Sequence, residues 1–346
     1  MLDVLEANEL LERAEECHRA GRYDDLFDLL HSQDETRLTS DRDLAWYWAR
    51  VLVDRGENVT ALGVLEHVMR SGCTDENSRV CRRLLNLHAI VLIFLGNLDA
   101  SEIELTELLS LCEVATDEAI LADATSNLGV IADIRTNWNS AIAAFQRALI
   151  PLHKLGAMTP IGHCHHNLGM SYRQIGRYAQ SAENFELALE YYRREASEHL
   201  ILACESERAL LAVRMGDVRF AEASARRLLA RAREIGHRYT QAEILRTLAI
   251  AVALQDAAQA KQYLGESLKI AQKIGARLLE AESCEELAVL AERSRADGNV
   301  AQHYLTRAMT LYCEIGTPAR AKLAQERVRM VCLNSSMSIG SEYVDD

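Results

Sequence analysis

Proline and aromatic residues are scarce: 3 prolines in 346 residues, and an aromatic share of 5%. A β-sandwich or barrel needs turn punctuation and β-branched or aromatic runs that such a chain does not supply. The composition therefore predicts helices joined by short turns. Long hydrophobic runs are missing too. The longest, Ala89 to Leu95, is far too short to cross a bilayer. The opening residues, Met1-Leu2-Asp3-Val4-Leu5-Glu6, lack the basic region and apolar core of a signal peptide. Basic charge is in deficit, with 38 Lys and Arg against 51 Asp and Glu and a net charge of −13. That balance argues against nucleic-acid phosphates or anionic lipid as partners. Nine cysteines, an odd number without a C-x-x-C pair, fit reduced thiols in a cytoplasmic protein. Phosphate-loop, dinucleotide, H-E-x-x-H and G-x-S-x-G motifs are absent. No enzyme activity and no cofactor are expected.

What the chain does have is a repeat. Small residues recur at Ala14, Ala49, Ala89, Gly129, Gly169, Ala209, Ala249 and Ala288, at intervals of 35, 40, 40, 40, 40, 40 and 39 residues. Seven residues later comes a turn glycine at Gly21, Gly56, Gly96, Gly176 and Gly216; Gly298 sits ten on. Thr136-Asn137 and Gln255-Asp256 are turn formers in the two repeats without it. Twelve residues after the marker, Ala61, Ser101, Ala141, Ser181 and Ala221 let a second helix approach the first, with Ala260 and Ala301 in shifted register. Gly156, Gly236, Gly275 and Gly316 follow the second helices as C-terminal stops. Thr159-Pro160 and Thr317-Pro318 read as helix starts, Asp117 as acidic charge at another, and Thr240 to Glu243 as a capping box. Pro151 is expected to kink or end its helix early.

The set Leu168-Gly169, Tyr172, Gly176, Tyr178, Ser181, Phe185 and Ala188 resembles the tetratricopeptide repeat almost position for position. Leu128-Gly129, Ala132, Trp138, Ala141, Phe145 and Ala148 resembles it nearly as well. The spacing exceeds the family's usual 34 residues. In this it is similar to the long-helix arrays of kinesin light chains, Leu-Gly-Asn-repeat adaptors, bacterial peptide receptors and activator sensor regions. The resemblance implies an all-α, right-handed superhelical solenoid of about eight helix-turn-helix repeats over residues 1–316. A capping helix is expected over 317–333 and a disordered acidic tail over 334–346.

In this family the first helices line a concave face. With the marker counted as position 8, position 9 reads Ile90, Val130, Met170, Leu210, Ile250 and Val289, an apolar row through six repeats. Either this row is a groove for an apolar or amphipathic segment, or longer helices coil the solenoid tighter and bury it. Position 6 carries Asn127 and Asn167, whose amides can both donate to and accept from a peptide main chain. Asp133, His163, His166, Arg173, Gln174, Arg214 and Arg246 complete the expected partner-binding face with Val130, Met170 and Leu210. The lining lacks the lysines of chaperone carboxylate clamps. His163 and His166 share a helix face and could hold a metal jointly, or be polar lining with Cys164 in the core; no metal is assigned. Trp48 is expected in the core and Trp46 toward groove or solvent.

These features suggest a non-catalytic scaffold or adaptor that takes a partner peptide or helix in its concave groove. The alternative is a regulatory sensor that binds a peptide or small molecule and controls a separate output protein. Self-association through the terminal repeats is compatible with either.

Overall fold

The computed structural model describes residues 7–19, 22–70, 78–294 and 298–341. Eighteen helices and no strand occur among them. The first pair is α1 (Ala7–Arg19) with α2 (Tyr23–His31), followed by the short α3 (Glu35–Ser40). Next come α4 (Arg42–Asp54) with α5 (Asn58–Arg70), α6 (Arg79–Phe94) with α7 (Leu98–Ala115), and α8 (Glu118–Ile134) with α9 (Trp138–Leu155). Then follow α10 (Met158–Gln174) with α11 (Tyr178–Arg194), and α12 (Glu198–Arg214) with α13 (Val218–Ile235). The last pairs are α14 (Arg238–Val252) with α15 (Ala257–Ile274), and α16 (Arg277–Ser294) with α17 (Gly298–Glu314). A single helix, α18 (Pro318–Ser341), packs on α17 and closes the array.

Every marker sits in the first helix of its pair, and all eight are buried. The reason is close approach. A methyl group built on Gly169 would lie 2.6 Å from the Phe185 ring, and one on Gly129 2.7 Å from Phe145. Where the second helix offers serine, the hydroxyl donates to the marker's own carbonyl: Ser101 to Ala89 at 2.9 Å, Ser181 to Gly169 at 2.7 Å. Small residues thus give each pair a tight apolar contact, and serine adds one buried hydrogen bond. Second-helix ends at Gly156, Gly236 and Gly275 turn left-handed, with φ of 64°, 74° and 71°, the conformation glycine adopts without cost.

Local expectations were corrected in four places. α9 continues past Pro151 to Leu155, so the helix does not end early there; in the last turn proline removes one hydrogen bond that the remaining turn survives without. α10 begins at Met158, before Thr159. α14 is capped by His237, whose Nδ1 accepts from the Thr240 amide at 3.2 Å, so Thr240 lies inside the helix. α18 continues to Ser341, eight residues past Leu333, so the segment expected as a tail is helical up to there. Gly21 and residues 342–346 lie outside the described residues.

Repeats far apart in sequence also touch. Arg277 Nη1 donates to Asn97 Oδ1 at 3.2 Å, and Arg135 Nε to the Gly316 carbonyl at 3.2 Å, across 180 and 181 residues. Phe94 packs edge-on against Tyr239 with centroids 5.6 Å apart. Arg135 also pairs with Asp99 at 2.5 Å and Glu102 at 2.6 Å. The superhelix therefore meets itself along a seam after one turn, with the turns of α4–α5 and α6–α7 against repeats seven and eight.

Gly169→Leu should unfold the middle of the array, because Phe185 is wholly buried and cannot yield. Urea denaturation should show a loss of several kcal/mol, in the range for overpacking a core or beyond it. Gly176→Ala, with open space around its Cβ, should cost only about 1 kcal/mol for its positive φ. Equal stability of Gly169→Leu and wild type would contradict the packing described.

Candidate functional site: the enclosed inner face

The first helices turn the same side inward from repeat to repeat, and the seam closes that side off. The position-9 row is intermediate between the two expectations. Leu210 is buried, while Ile90, Val130, Met170, Ile250 and Val289 keep partial exposure. Val130 packs between the clusters of repeats three to five, and Met170 against that of repeat five. Around this row the interior is polar and charged. Asn127 donates from Nδ2 to Asn86 Oδ1 at 3.1 Å. Arg173 and Glu207, both buried, form an ion pair. Ser171 donates to the Asp133 carboxylate. Arg246 and Arg320 both reach Glu282, at 3.3 and 2.8 Å. The Nε atoms of Arg173 and Arg246 are buried without an acceptor.

Enclosure moves the proton equilibria. Burial pushes Glu243 up to about 8, with Glu207 and Glu282 adding repulsion and Arg246 opposing it. Burial likewise lifts Asp123 to about 7, against the pull of Arg50, and raises Asp133 and Glu286. Glu282 goes the other way: burial opposes ionisation, but Arg246 and Arg320 hold it below the usual carboxylate range. Burial drives His163 down to about 3, helped by Arg50, His166 and His199, and lowers His166 as well. Both rings lie against Tyr192, at centroid distances of 5.7 and 6.2 Å, so they are neutral at physiological pH and half-packed. Cys164 is in the core behind them.

Of the residues expected on this face, Asn127, Asp133, His163, His166, Arg173 and Arg246 are in the enclosed interior with the apolar row. Asn167 is half-buried on the same helix. Gln174 and Arg214 are exposed at the ends of α10 and α12, although the Arg214 charge still acts on Glu286. Trp48 is buried as expected, and Trp46 is covered by Arg83, whose guanidinium lies 3.7 Å from its ring. Missing from the expected set were Asp123, Glu243 and Glu282, all at position 2 of their repeats, together with Arg320 of α18 and Tyr239. The position-2 acids were findable, since the same register that selected His163 selects them. Tyr239 was not, because its neighbours come from across the seam. Among the described residues no group of three or more His, Cys, Asp or Glu is placed to hold a metal. Among the described residues six cysteines are free thiols, whereas Cys81 is in a disulfide, which corrects the expectation of uniformly reduced cysteines.

Helix pairs in a fixed register around a closed inner face define a helical-repeat solenoid, right-handed in its superhelix. Residues 162–195 match the tetratricopeptide repeat model, and the array as a whole has the fold of tetratricopeptide-repeat structures. No curated protein matches it in sequence. Among solved structures it is similar to the Rap protein complexed with competence and sporulation factor: TM-score 0.63, 14% identity, 96% of this chain and 98% of that one. NprR in complex with its cognate peptide NprX gives 0.59 at 16% identity, over 82% of this chain and 88% of the other. A chain of the APC/C hetero-tetramer Cut9-Hcn1 gives 0.59 at 15% identity over 93% of this chain, which spans only 57% of that one. At these identities the likeness is one of fold. No helix among the described residues is long and apolar enough to cross a membrane.

The proton shifts give a signed expectation. Folded Glu243 keeps its proton to about 8, against 4.5 ordinarily, so across that window the folded state binds more protons and loses stability as pH rises. The depressed histidines act oppositely: their contribution is present above 6.5 and is lost as pH falls toward about 3. Glu243→Gln removes only the first effect. Its thermal midpoint should match wild type near pH 4 and exceed it near pH 8; a constant difference at both would place Glu243 in free solvent.

Proposed function

We propose that the chain is a non-catalytic binding scaffold whose enclosed inner face holds an extended peptide segment of a partner. The observation that carries this reading is the seam. By joining repeats two and three to repeats seven and eight it turns a groove into a channel, lined by an apolar row flanked with hydrogen-bonding and charged side chains. A channel of this kind suits a single extended strand better than the amphipathic helix that an open groove would also admit. Arg173 Nε and Arg246 Nε, buried without acceptors, can take backbone carbonyls or a carboxylate. Asn167 can do the same through its amide. One solved neighbour of the same overall fold, NprR with its cognate peptide NprX, is a peptide complex, which supports a small peptide as the ligand class.

A regulatory version of this reading follows from the same seam. A peptide that contacts several repeats at once binds the closed superhelix preferentially and shifts the population toward it. A separate output protein can then read the shape.

The test is mass spectrometry of peptides released by acid from the purified chain, after incubation with a source-cell peptide fraction. Wild type should release a defined peptide, and the double variant Asn127→Ala, Asn167→Ala should lose at least about tenfold of it, as expected for two main-chain hydrogen bonds. Thermal midpoints should agree within a few degrees, showing that both fold. Full retention by the double variant would remove the central channel from consideration.

A further inference from the structure

The starts of three helices meet at the seam. The first residues of α5, α12 and α14 line one cleft of about 820 Å³, and the C-terminal half of α15 forms its remaining wall. Each helix start presents N–H groups without intrahelical acceptors and the positive end of the helix dipole. Their convergence is a product of the superhelical turn, since α5 belongs to repeat two and the others to repeats six and seven.

Two polar side chains in this lining are buried without a partner: Ser197 Oγ at 3% exposure and Asn58 Oδ1 at 2%. Ser197 occupies the N-cap position of α12, yet makes no capping hydrogen bond. Its hydroxyl can therefore donate into the cleft, whereas the idle Asn58 atom is an amide oxygen, an acceptor. His199 and His237 stack beside them with centroids 5.1 Å apart. His237 is held from both sides: Nδ1 accepts the Thr240 amide, and the ring hydrogen-bonds the Asp54 backbone across the seam. This leaves its proton on Nε2.

Charge decides what the cleft receives. Its five carboxylates are engaged by four arginines: Asp54 by Arg50 at 2.8 Å, Asp24 and Glu57 together by Arg55 at 3.5 and 3.6 Å, Glu198 by Arg231, and Glu266 by Arg233 at 2.8 Å. Arg238, Lys269 and Lys273 also line it, all exposed, and none forms an ion pair among the described residues. With these three, seven cations face five carboxylates, and the excess of two positive charges shares one cavity with three helix starts and the idle Ser197 hydroxyl.

We infer that this seam cleft binds a small oligophosphate anion, either free or carried on a nucleoside. Phosphate oxygens satisfy helix-start amides and cations together. Because the contacts come from both sides of the seam, the anion binds the closed superhelix only and stabilises it by mass action. The site is separate from the peptide channel and does not depend on it.

Isothermal titration of the full chain with inorganic tripolyphosphate, at fixed ionic strength, tests the inference. One saturable site per chain is expected. ATP as a second titrant separates the sources: equal affinity means that the phosphates alone are recognised, and tighter binding means that a nucleoside also packs on the Ile270 and Ile274 side. The variant Arg238→Ala, Lys269→Ala, Lys273→Ala changes only exposed side chains and should bind at least about tenfold more weakly. Ser197→Ala removes a hydroxyl that has no partner and should weaken binding severalfold without moving the thermal midpoint of the unliganded chain. Absence of a saturable site for both titrants, or undiminished binding to the triple variant, would overturn the inference.

Discussion

Contact between one superhelical turn and the next is the constraint on which the interior depends. Arg135 on the Gly316 carbonyl, Arg277 on Asn97 and Phe94 on Tyr239 convert an open concave face into a lined channel. On an open groove, Glu243, Asp123 and the histidines of α10 would face bulk water, where charges on neighbouring repeats interact weakly. Behind the seam the same groups lose hydration. Where burial outweighs a single arginine, as at Glu243, the acid holds its proton more tightly; the histidines stay neutral, and Glu282, between two arginines, remains ionised.

The seam in turn follows from the length of the repeat. Helices of 17 or 18 residues through the middle of the chain are about 26 Å long by the usual rise per residue, and the pairs pack without the gaps that larger marker residues would impose. Gly169 against Phe185 and Gly129 against Phe145 set that distance. Stacking then accumulates a rotation that returns the chain to itself after about four and a half repeats. Changes at the helix crossings propagate through this geometry, because each repeat fixes only its neighbours. The far contacts depend on the sum.

How much of this was legible in the sequence depends on whether a feature is local. The markers, the turn glycines, the left-handed C-caps and the first-helix, second-helix alternation are properties of one repeat, and periodicity displays them. The placement of His163, Asp133, Arg173 and Arg246 on one face followed from the same register. Asp123, Glu243 and Glu282 share that register, but an isolated acid on a helix reads as a solvated one, and only the seam turns it inward. Tyr239, His199 and His237 stand close to helix starts, where nothing local distinguishes them. Their role comes from neighbours in a different repeat, as when His237 displaced Thr240 as the cap of α14 while reaching Asp54. Pro151 misled about the helix end for the opposite reason: a local rule was applied where packing of the rest of α9 outweighs the one hydrogen bond that proline removes.

A closed solenoid ties access to its channel to the integrity of its seam. A segment longer than the channel can thread only from its ends, whereas a segment laid in sideways requires the contacts at Gly96, Asn97 and Gly316 to part. Those contacts are few and polar at their margins, and Arg135 keeps its pairs with Asp99 and Glu102 on its own side when Gly316 leaves. Opening therefore sacrifices the contacts that cross the seam and leaves the helix pairs intact. On the proposed reading, anything that binds across the seam, whether peptide inside or anion in the cleft between α5, α12 and α14, favours the same closed state. The two sites are then coupled without touching, each stabilising the geometry the other needs, and by linkage the coupling is equal in both directions.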